Sequence, residues 1–517
     1  MTWCCDGGIC GNFAPYILSA ILPRALLTSL EGLPGFDREA FEAVHAGGRQ
    51  VTSVRVNPGK GGGRGVVGGD GAAGGARVMG EGAAGVGVME GAEGAAGVGV
   101  MGSLAGAERV PWSSFGYYLA ERPSFTFDPV FHAGAYYVQE ASSMFLEQVI
   151  RQTTDLSRSL RVLDLCAAPG GKSTLLQSCL SGGSLLVSNE VIRNRANILE
   201  ENMIKWGGVN TIVTGSDPQD LGRLEGFFDI IVVDAPCSGS GLFRREPEAI
   251  GEWSPDNVRL CYQRQQRILA DCWPALREDG LLVYSTCSYS REENEDVVDW
   301  MLSALGATGC KLTVPAEWKI VESESRGGAS GYRFYPDKVK GEGLYMAGVR
   351  KTGGAAFVAP RKKGGVERLT RKEEDVIGGW VRPDTGLVYF RHGELIHAIP
   401  AGVLADVSVL QSHCYLRRAG VSLGKAAGVS LGKAAAAFIP EHDLAMSMLV
   451  SAGLPVRALS REEALGYLRK DELAADSAHR GWTLVEYGGL NLGWIKALPG
   501  RVNNYYPKEW RILRREP

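Results

Sequence analysis

The sequence predicts an α/β protein, with a parallel sheet covered by helices at its centre, a small α+β region before it and a mixed α+β region after it. Three observations carry this prediction. Residues 162–174, VLDLCAAPGGKST, pass from a short apolar run through a glycine-rich turn into a helix-forming segment. From Arg161 onward, strand-like and helix-like segments alternate, the strands being SLLVSN (184–189), NTIVT (210–214), FDIIVVD (228–234) and LLVYS (281–285). Such alternation implies a parallel sheet with helical crossovers. A later region again shows strand-like runs, LVYF (387–390) and WTLV (482–485), and a helical segment at 461–469.

At 517 residues the chain is long enough for two or three domains. Residues 1–20 carry little patterning, and Pro15, Pro23 and Arg24 interrupt the mildly apolar stretch there, so no signal peptide is expected. No apolar run approaches the roughly 20 residues of a membrane helix. Eleven cysteines without scaffold spacing suit a reducing, cytoplasmic setting. Cys4, Cys5 and Cys10 lack a fourth ligand and a CxxC pair, so no metal is expected.

Residues 22–45 show helical spacing, and 51–58 alternate as a strand ending at Pro58. Residues 59–107 are mostly Gly, Ala and Val, with EGAAGVGVM at 81–89 and again at 93–101. Lacking large side chains, this segment reads as a flexible low-complexity insertion. The aromatics of 115–145 read as core, with base stacking as the functional alternative. Residues 351–375, with Arg361, Lys362, Lys363, Arg368, Arg371 and Lys372, read as a basic linker, either a solvated tether or a phosphate-contacting strip. AGVSLGKA occurs at 419–426 and again at 427–434, lengthening a loop, and the tail 501–515 mixes basic residues with Tyr505, Tyr506 and Trp510. The units expected are therefore 1–58, 59–107 (insertion), 108–350 (the α/β domain with its extension), 351–375 (linker) and 376–517.

The ligand of the central loop decides the function. Gly171-Lys172-Ser173 matches the end of a phosphate-binding P-loop, and the strand ending at Asp234 could pass for its magnesium-holding partner. The opening glycine, however, would be residue 166, which is Cys166, and Pro169 removes a backbone donor from any phosphate cradle. S-adenosylmethionine (AdoMet) accounts for more. Glu190 at the second strand end can accept from ribose hydroxyls, and Asp217 and Asp234 offer polar groups to the same crevice after the third and fourth strands.

Two cysteines choose the reaction. Cys237 follows the fourth strand in DAPCSG, and Cys287 follows the fifth in STCS, so both face the crevice. Carbon 5 of cytosine takes a methyl from a sulfonium only after a thiolate adds to the neighbouring ring carbon, and a base must then remove the carbon-5 proton before the thiol leaves. Either cysteine could attack on this argument. Asp234 can hydrogen-bond the pyrimidine and stabilise its charge in the adduct.

CAAPGGK (166–172), DAPCSG (234–239) and STCS (285–288), with YYVQEASSM (136–144) before them, resemble the Nop/Sun family of RNA cytosine carbon-5 methyltransferases. The resemblance runs over 51–350 outside the insertion and resumes at Gly481-Trp482, Leu492-Gly493-Trp494 and NNYYP (503–507), similar to the PUA-like RNA-binding region of bacterial ribosomal RNA enzymes of the RsmF type. It implies a Rossmann-like AdoMet-dependent fold and AdoMet binding by Cys166, Ala167, Ala168, Pro169, Gly170, Gly171, Lys172, Glu190, Asp217 and Asp234. It makes Cys287 the nucleophile and Cys237 the residue that helps release product. Ribosomal RNA is the expected partner of a monomer, and transfer RNA the alternative. A P-loop nucleotide hydrolase and a non-catalytic RNA-binding assembly factor are the readings from other classes.

Overall fold

The structure is a computed structural model that describes residues 22–48, 50–60, 101–102, 104–354, 356–358, 366–383, 386–427, 437–475 and 478–515. Cys4, Cys5 and Cys10, nearly all of the glycine-rich insertion, Arg361 to Lys363 and most of the second AGVSLGKA copy lie outside the described residues.

Two helices, Arg24–Leu30 and Arg38–Ala46, precede β1 (Thr52–Val56), which pairs antiparallel with β2 (Gly116–Leu119) and β3 (Tyr136–Val138). This small sheet joins residues from both sides of the insertion. The central sheet follows, with parallel strands β4 (Arg161–Asp164), β5 (Leu185–Asn189), β6 (Thr211–Thr214), β7 (Phe228–Asp234) and β8 (Leu276–Thr286), in spatial order β8-β7-β4-β5-β6. Its strands alternate between two cores. Leu163, Val187, Ile231, Val233 and Leu282 face one side with the helices Pro255–Cys272 and Glu295–Leu305, while Val162, Leu186, Ile230, Val232 and Val283 face the other with Leu146–Thr153, Gly171–Cys179 and Arg193–Trp206. Burial on both faces explains why these strands read as continuous apolar runs.

Beyond the parallel core, β9 (Ala307–Cys310), β10 (Val321–Glu324), β11 (Ser330–Phe334) and β12 (Leu344–Lys351) extend the β8 edge antiparallel. The described part of the stretch read as a basic linker is ordered in part. β13 (Glu367–Arg368) pairs with β14 (Leu387–His392), and the helix Arg371–Ile377 starts at a capping box in which Thr370 and Glu373 satisfy each other's backbone N–H groups. Glu373 and Arg391 then form an ion pair, so the acids interspersed among the basic residues give the segment its structure.

The C-terminal region divides three ways. β13, β14, β15 (Leu395–Pro400), β17 (Val421–Ala427) and β18 (Ala437–Pro440) form one sheet, and β19 (Val456–Ala458), β20 (Gly481–Tyr487), β21 (Leu490–Leu498) and β22 (Arg501–Asn504) form another. Between β15 and β17 in sequence, β16 (Leu416–Ala419) leaves its neighbours and pairs antiparallel with β6, capping the other edge of the central sheet. The helix Leu404–Gln411 packs with it, placing Val407 and Leu410 in the same core as Ile212 and Leu221. Ile495 of the last sheet, Leu468 of the helix Arg461–Arg469 and Tyr506 share a core with Val54 and Tyr136 of the N-terminal sheet and Val130 of the helix Pro129–His132, so the aromatics of 115–145 are largely core. No helix among the described residues is long and apolar enough to cross a membrane.

Two ion pairs fasten β16 and its helix. Arg161 on β4 meets Asp406 with both oxygens at 2.9–3.0 Å. Arg418 on β16 meets Asp443 at 2.8 and 3.0 Å and also donates to Thr211 Oγ1 at 2.7 Å on β6. The second pair is 2% and 4% exposed, so removing one partner leaves a buried charge unmatched. Asp443→Asn is predicted to destabilise the protein by about 3–5 kcal/mol, whereas replacing both partners by apolar residues of similar volume restores much of that loss. Denaturant unfolding of the three proteins, followed by tryptophan fluorescence, checks this.

Candidate active site

The loop after β4 stays stitched into the sheet before it turns. Leu165 N–H donates to Val232 O at 2.9 Å and Ala167 N–H to Asn189 O at 2.8 Å. Gly170 then adopts φ +113°, a conformation that a side chain would strain, and the helix begins at Gly171. The first turn of that helix is gripped by Arg55 of β1. Its fully buried guanidinium donates to Gly171 O, Thr174 O, Thr174 Oγ1 and Gln139 Oε1, and lies 4.5 Å from the Trp206 ring centroid. Burial lowers its pKa to about 10, which still leaves it charged at neutral pH.

Below the loop, Asp164 is buried and accepts from Ser173 Oγ at 2.7 Å, while its other oxygen has no partner among the described residues. Burial pushes its carboxyl up to about 7, opposed by the Ser173 hydrogen bond. Asn189 ties three strand ends together. It donates to Leu165 O and Ser216 O and accepts from Thr214 Oγ1 and Ser216 N–H. Arg55, Asp164 and Asn189 escaped the sequence reading. Asp164 at a strand end ahead of a glycine-rich turn was a usable signal, but nothing in the sequence joins Arg55 to a loop so distant along the chain.

Glu190 is buried, accepts from Ile192 N–H at 2.9 Å and lies 3.4 Å from Arg195, which in turn donates to Ala168 O at 2.9 Å. Asp217 is half-exposed and uses one oxygen to cap the helix Pro218–Gly222 through Gln219 N–H at 3.0 Å. Lys172 reaches from the loop to Asp234 at 2.8 Å, and Ser285 Oγ on β8 donates to the other Asp234 oxygen at 2.7 Å. Burial works against the charge of Lys172, but the attraction of Asp234, with Asp164 behind it, outweighs burial and raises its pKa. Lys172 thus links the loop to the end of β7, just ahead of Cys237.

The two cysteines meet. β7 and β8 pair with Asp234 opposite Ser285, and just beyond them Cys237 Sγ and Cys287 Sγ lie 3.0 Å apart, both half-buried. The hydrogen bond to Cys287, followed by burial, raises the Cys237 pKa well above that of a free thiol, so Cys237 keeps its proton. Their loops are fixed by a residue that the sequence reading missed. Glu293 accepts from Ser238 N–H at 2.8 Å, Ser238 Oγ at 2.5 Å, Ser288 Oγ at 2.6 Å and Gln265 Nε2 at 3.2 Å, holding the residue after each cysteine. Burial raises its pKa, and these hydrogen bonds oppose that rise. Asn294 adds a bond to Ser288 O at 2.8 Å, and Arg333 with the neighbouring Glu295 forms a buried pair.

The residues around the loop fit AdoMet. A glycine-rich turn leaves the backbone open, the free Asp164 oxygen can accept from an ammonium group, and Glu190 keeps lone pairs for ribose hydroxyls beyond its two protein contacts. Fold and site together define a Rossmann-like AdoMet-dependent methyltransferase with PUA-like sheets at its C-terminus.

Residues 152–350 match the family model of 16S rRNA methyltransferase RsmB/F, 455–512 that of the methyltransferase RsmF PUA domain, and 99–141 that of the N-terminal domain of 16S rRNA methyltransferase RsmF. The chain belongs to the RsmB/F methyltransferase family, with RsmF-like flanking domains. It is 27% identical over 419 residues to ribosomal RNA small subunit methyltransferase F of Aliivibrio salmonicida, covering 77% of this chain and 85% of that protein. The protein of the same name from Psychromonas ingrahamii is 28% identical, with 77% and 84% covered. The crystal structure of PH0851 superposes with a TM-score of 0.50 at 21% identity, covering 66% of this chain and 70% of that one, which shows a shared fold.

Glu293→Ala is predicted to lower kcat by on the order of 10²-fold, because a displacement of about 1 Å at reacting atoms costs that much. The affinity for S-adenosylhomocysteine should stay within about twofold, since the donor loop is held by other residues. Steady-state kinetics and isothermal titration calorimetry on the same preparations check the split.

Proposed function

We propose that this chain methylates carbon 5 of a cytosine in small-subunit ribosomal RNA, with Cys287 as nucleophile and Cys237 assisting product release. The observation that carries the reading is the 3.0 Å approach of two thiols at adjacent strand ends, beside Asp234. A methyltransferase acting on a nitrogen or a hydroxyl needs no such pair, because its acceptor is already nucleophilic.

Cys166 to Lys172, Glu190, Asp217 and Asp234 would hold AdoMet, with Asp164 added to the residues read from the sequence. Bound there, AdoMet supplies an electrophilic methyl group on a sulfonium. Cys287 Sγ forms a bond to carbon 6 of the cytosine, turning the ring into an enamine whose carbon 5 is nucleophilic. Asp234 hydrogen-bonds the amino edge of the pyrimidine, and Lys172 offsets its charge. Once carbon 5 bears the methyl group, a base takes its proton, the C–H electrons form the ring double bond, and the carbon 6–sulfur bond breaks with its pair on sulfur. Cys237, which keeps its proton next to Cys287, is placed to protonate the departing thiolate.

Recognition of RNA falls to the flanking regions. Trp482, Tyr505 and Lys496 form an aromatic and basic patch on the last sheet, with ring centroids of the first two 4.4 Å apart and Lys496 Nζ 5.3 Å from the Trp482 ring. Such patches stack bases and meet phosphates. Residues 108–350 are the catalytic unit and 376–517 the RNA-binding one, in a chain that works as a monomer. The P-loop alternative fails at Cys166 and Pro169, and a non-catalytic assembly factor leaves the paired thiols without a role.

Cys287→Ala should reduce methylation by more than about a thousandfold, as removal of a nucleophile does, while S-adenosylhomocysteine still binds. Bisulfite sequencing of small-subunit RNA, from cells lacking the gene and carrying either form, reads the outcome; full turnover by the variant would refute the assignment. Cys237→Ala should instead accumulate a covalent protein–RNA adduct on a denaturing gel. Active methyl transfer without any adduct would remove that role from Cys237.

A further inference from the structure

Cys237 and Cys287 are also two free thiols in contact, whatever part each takes in methyl transfer. Their sulfurs lie 3.0 Å apart and both residues are half-buried, within reach of a small solute. Among the described residues this is the one pair of cysteines whose sulfurs meet, while Cys261 and Cys272 are buried away from solvent. A disulfide is about 2.0 Å long, so closing one here asks the sulfurs to approach by only about 1 Å, which rotation of the two side chains can supply.

The backbones behind the pair already hold it together. Glu293 accepts from Ser238 N–H at 2.8 Å and from Ser288 Oγ at 2.6 Å, and Gly241 N–H donates to Cys287 O at 2.8 Å, so each loop is tied to the other. Two thiols fixed side by side react with each other far more readily than thiols that must find a partner by diffusion. A crevice wide enough for a pyrimidine also admits a molecule as small as a peroxide. In a reducing compartment a disulfide formed there is transient, which is how redox-sensing pairs behave.

We propose that Cys237 and Cys287 are a site of reversible oxidation by peroxides, closing to a disulfide that switches methyl transfer off. The oxidant is a peroxide, and the electrons balance in two steps. One sulfur attacks the peroxide: a sulfur–oxygen bond forms, the oxygen–oxygen bond breaks, and with hydrogen peroxide the departing oxygen leaves as water with that thiol's proton. The second sulfur then displaces the oxygen: the sulfur–sulfur bond forms, the sulfur–oxygen bond breaks, and the hydroxide leaves as water with the second thiol's proton. The two thiols give up two electrons and the peroxide takes them. The neighbouring thiol thereby stops the first sulfur at the reversible stage, ahead of sulfinic acid. The effect on activity rests on the reading of Cys287 as the nucleophile, since a sulfur held in a disulfide cannot add to carbon 6.

Treating the purified full chain with hydrogen peroxide tests this, with peptide mapping by mass spectrometry, methylation of small-subunit RNA from cells lacking the gene, and titration with S-adenosylhomocysteine as readouts. The peptide holding Cys237 should appear joined to the one holding Cys287. Methylation should fall by more than about tenfold in step with that cross-link and return to within about twofold of its starting value after dithiothreitol, because thiol–disulfide exchange restores both thiols. S-adenosylhomocysteine affinity should stay within about twofold throughout, since the loss is one of turnover and not of donor binding. Finding both thiols still free, or one carried to sulfinic acid without a cross-link, would overturn the proposal and leave the nucleophile reading untouched. Lost methylation that dithiothreitol does not restore would overturn it as well. A cross-link with full methylation would instead remove Cys287 as nucleophile, and the switch with it. Cys287→Ala, which cannot close the bond, should keep its S-adenosylhomocysteine affinity under the same peroxide dose; a loss there would trace inactivation to oxidation elsewhere and refute the site.

Discussion

The chemistry proposed for this protein depends on the parallel register of β7 and β8. Parallel neighbours lie about 4.8 Å apart and leave the sheet at the same edge, so residues just beyond a matched pair stay side by side. Asp234 is matched with Ser285, and the segments that follow bring Cys237 and Cys287 into contact. Antiparallel pairing would send the two extensions to opposite edges. The same edge carries the glycine-rich loop after β4 and Glu190 after β5, so the residues proposed for donor and acceptor share one rim of one sheet.

Register alone leaves two loops free to move, and the buried carboxylate of Glu293 removes that freedom. A carboxylate withdrawn from water costs several kcal/mol unless it is well matched. Here it takes hydrogen bonds from both serines that follow the cysteines and from Gln265, which also donates to Pro236 O at 3.0 Å. A network satisfied in this way holds a single geometry, whereas a half-satisfied one would open it. The N-terminal helices close over the same loops, with Phe41 5.0 Å from Tyr289 between ring centroids and Phe243 in the same cluster.

The outer regions are built into the catalytic sheet and share its cores. β16 takes the free edge of β6, Arg161 of β4 reaches Asp406 of the C-terminal region, Arg418 of β16 donates to Thr211 of β6, and the last sheet shares a core with the N-terminal one. Covering an exposed sheet edge removes a site for unwanted pairing. It also holds the flanking regions proposed to bind RNA at fixed positions relative to the cysteines.

The sequence by itself determined the elements whose signals are local. Apolar runs bounded by Gly and Pro defined β4 to β8, the glycine-rich turn marked the loop proposed to hold the donor, and Cys166 with Pro169 argued against a phosphate cradle. The cysteine motifs, with the glycine-rich turn, carried the resemblance from which the family was read. Tertiary structure decided what depends on long-range pairing. Sequence spacing does not show that Cys237 and Cys287 touch, that Arg55 grips a helix more than a hundred residues away, or that Glu293 serves both cysteine loops. The linker reading of 351–375 gave way in part because a capping box and an ion pair order residues whose composition suggested a tether. The pairing of β16 with β6 was hidden for the same reason. A four-residue strand carries too little periodicity to announce its partner, and only the folded sheet presents the edge that it completes.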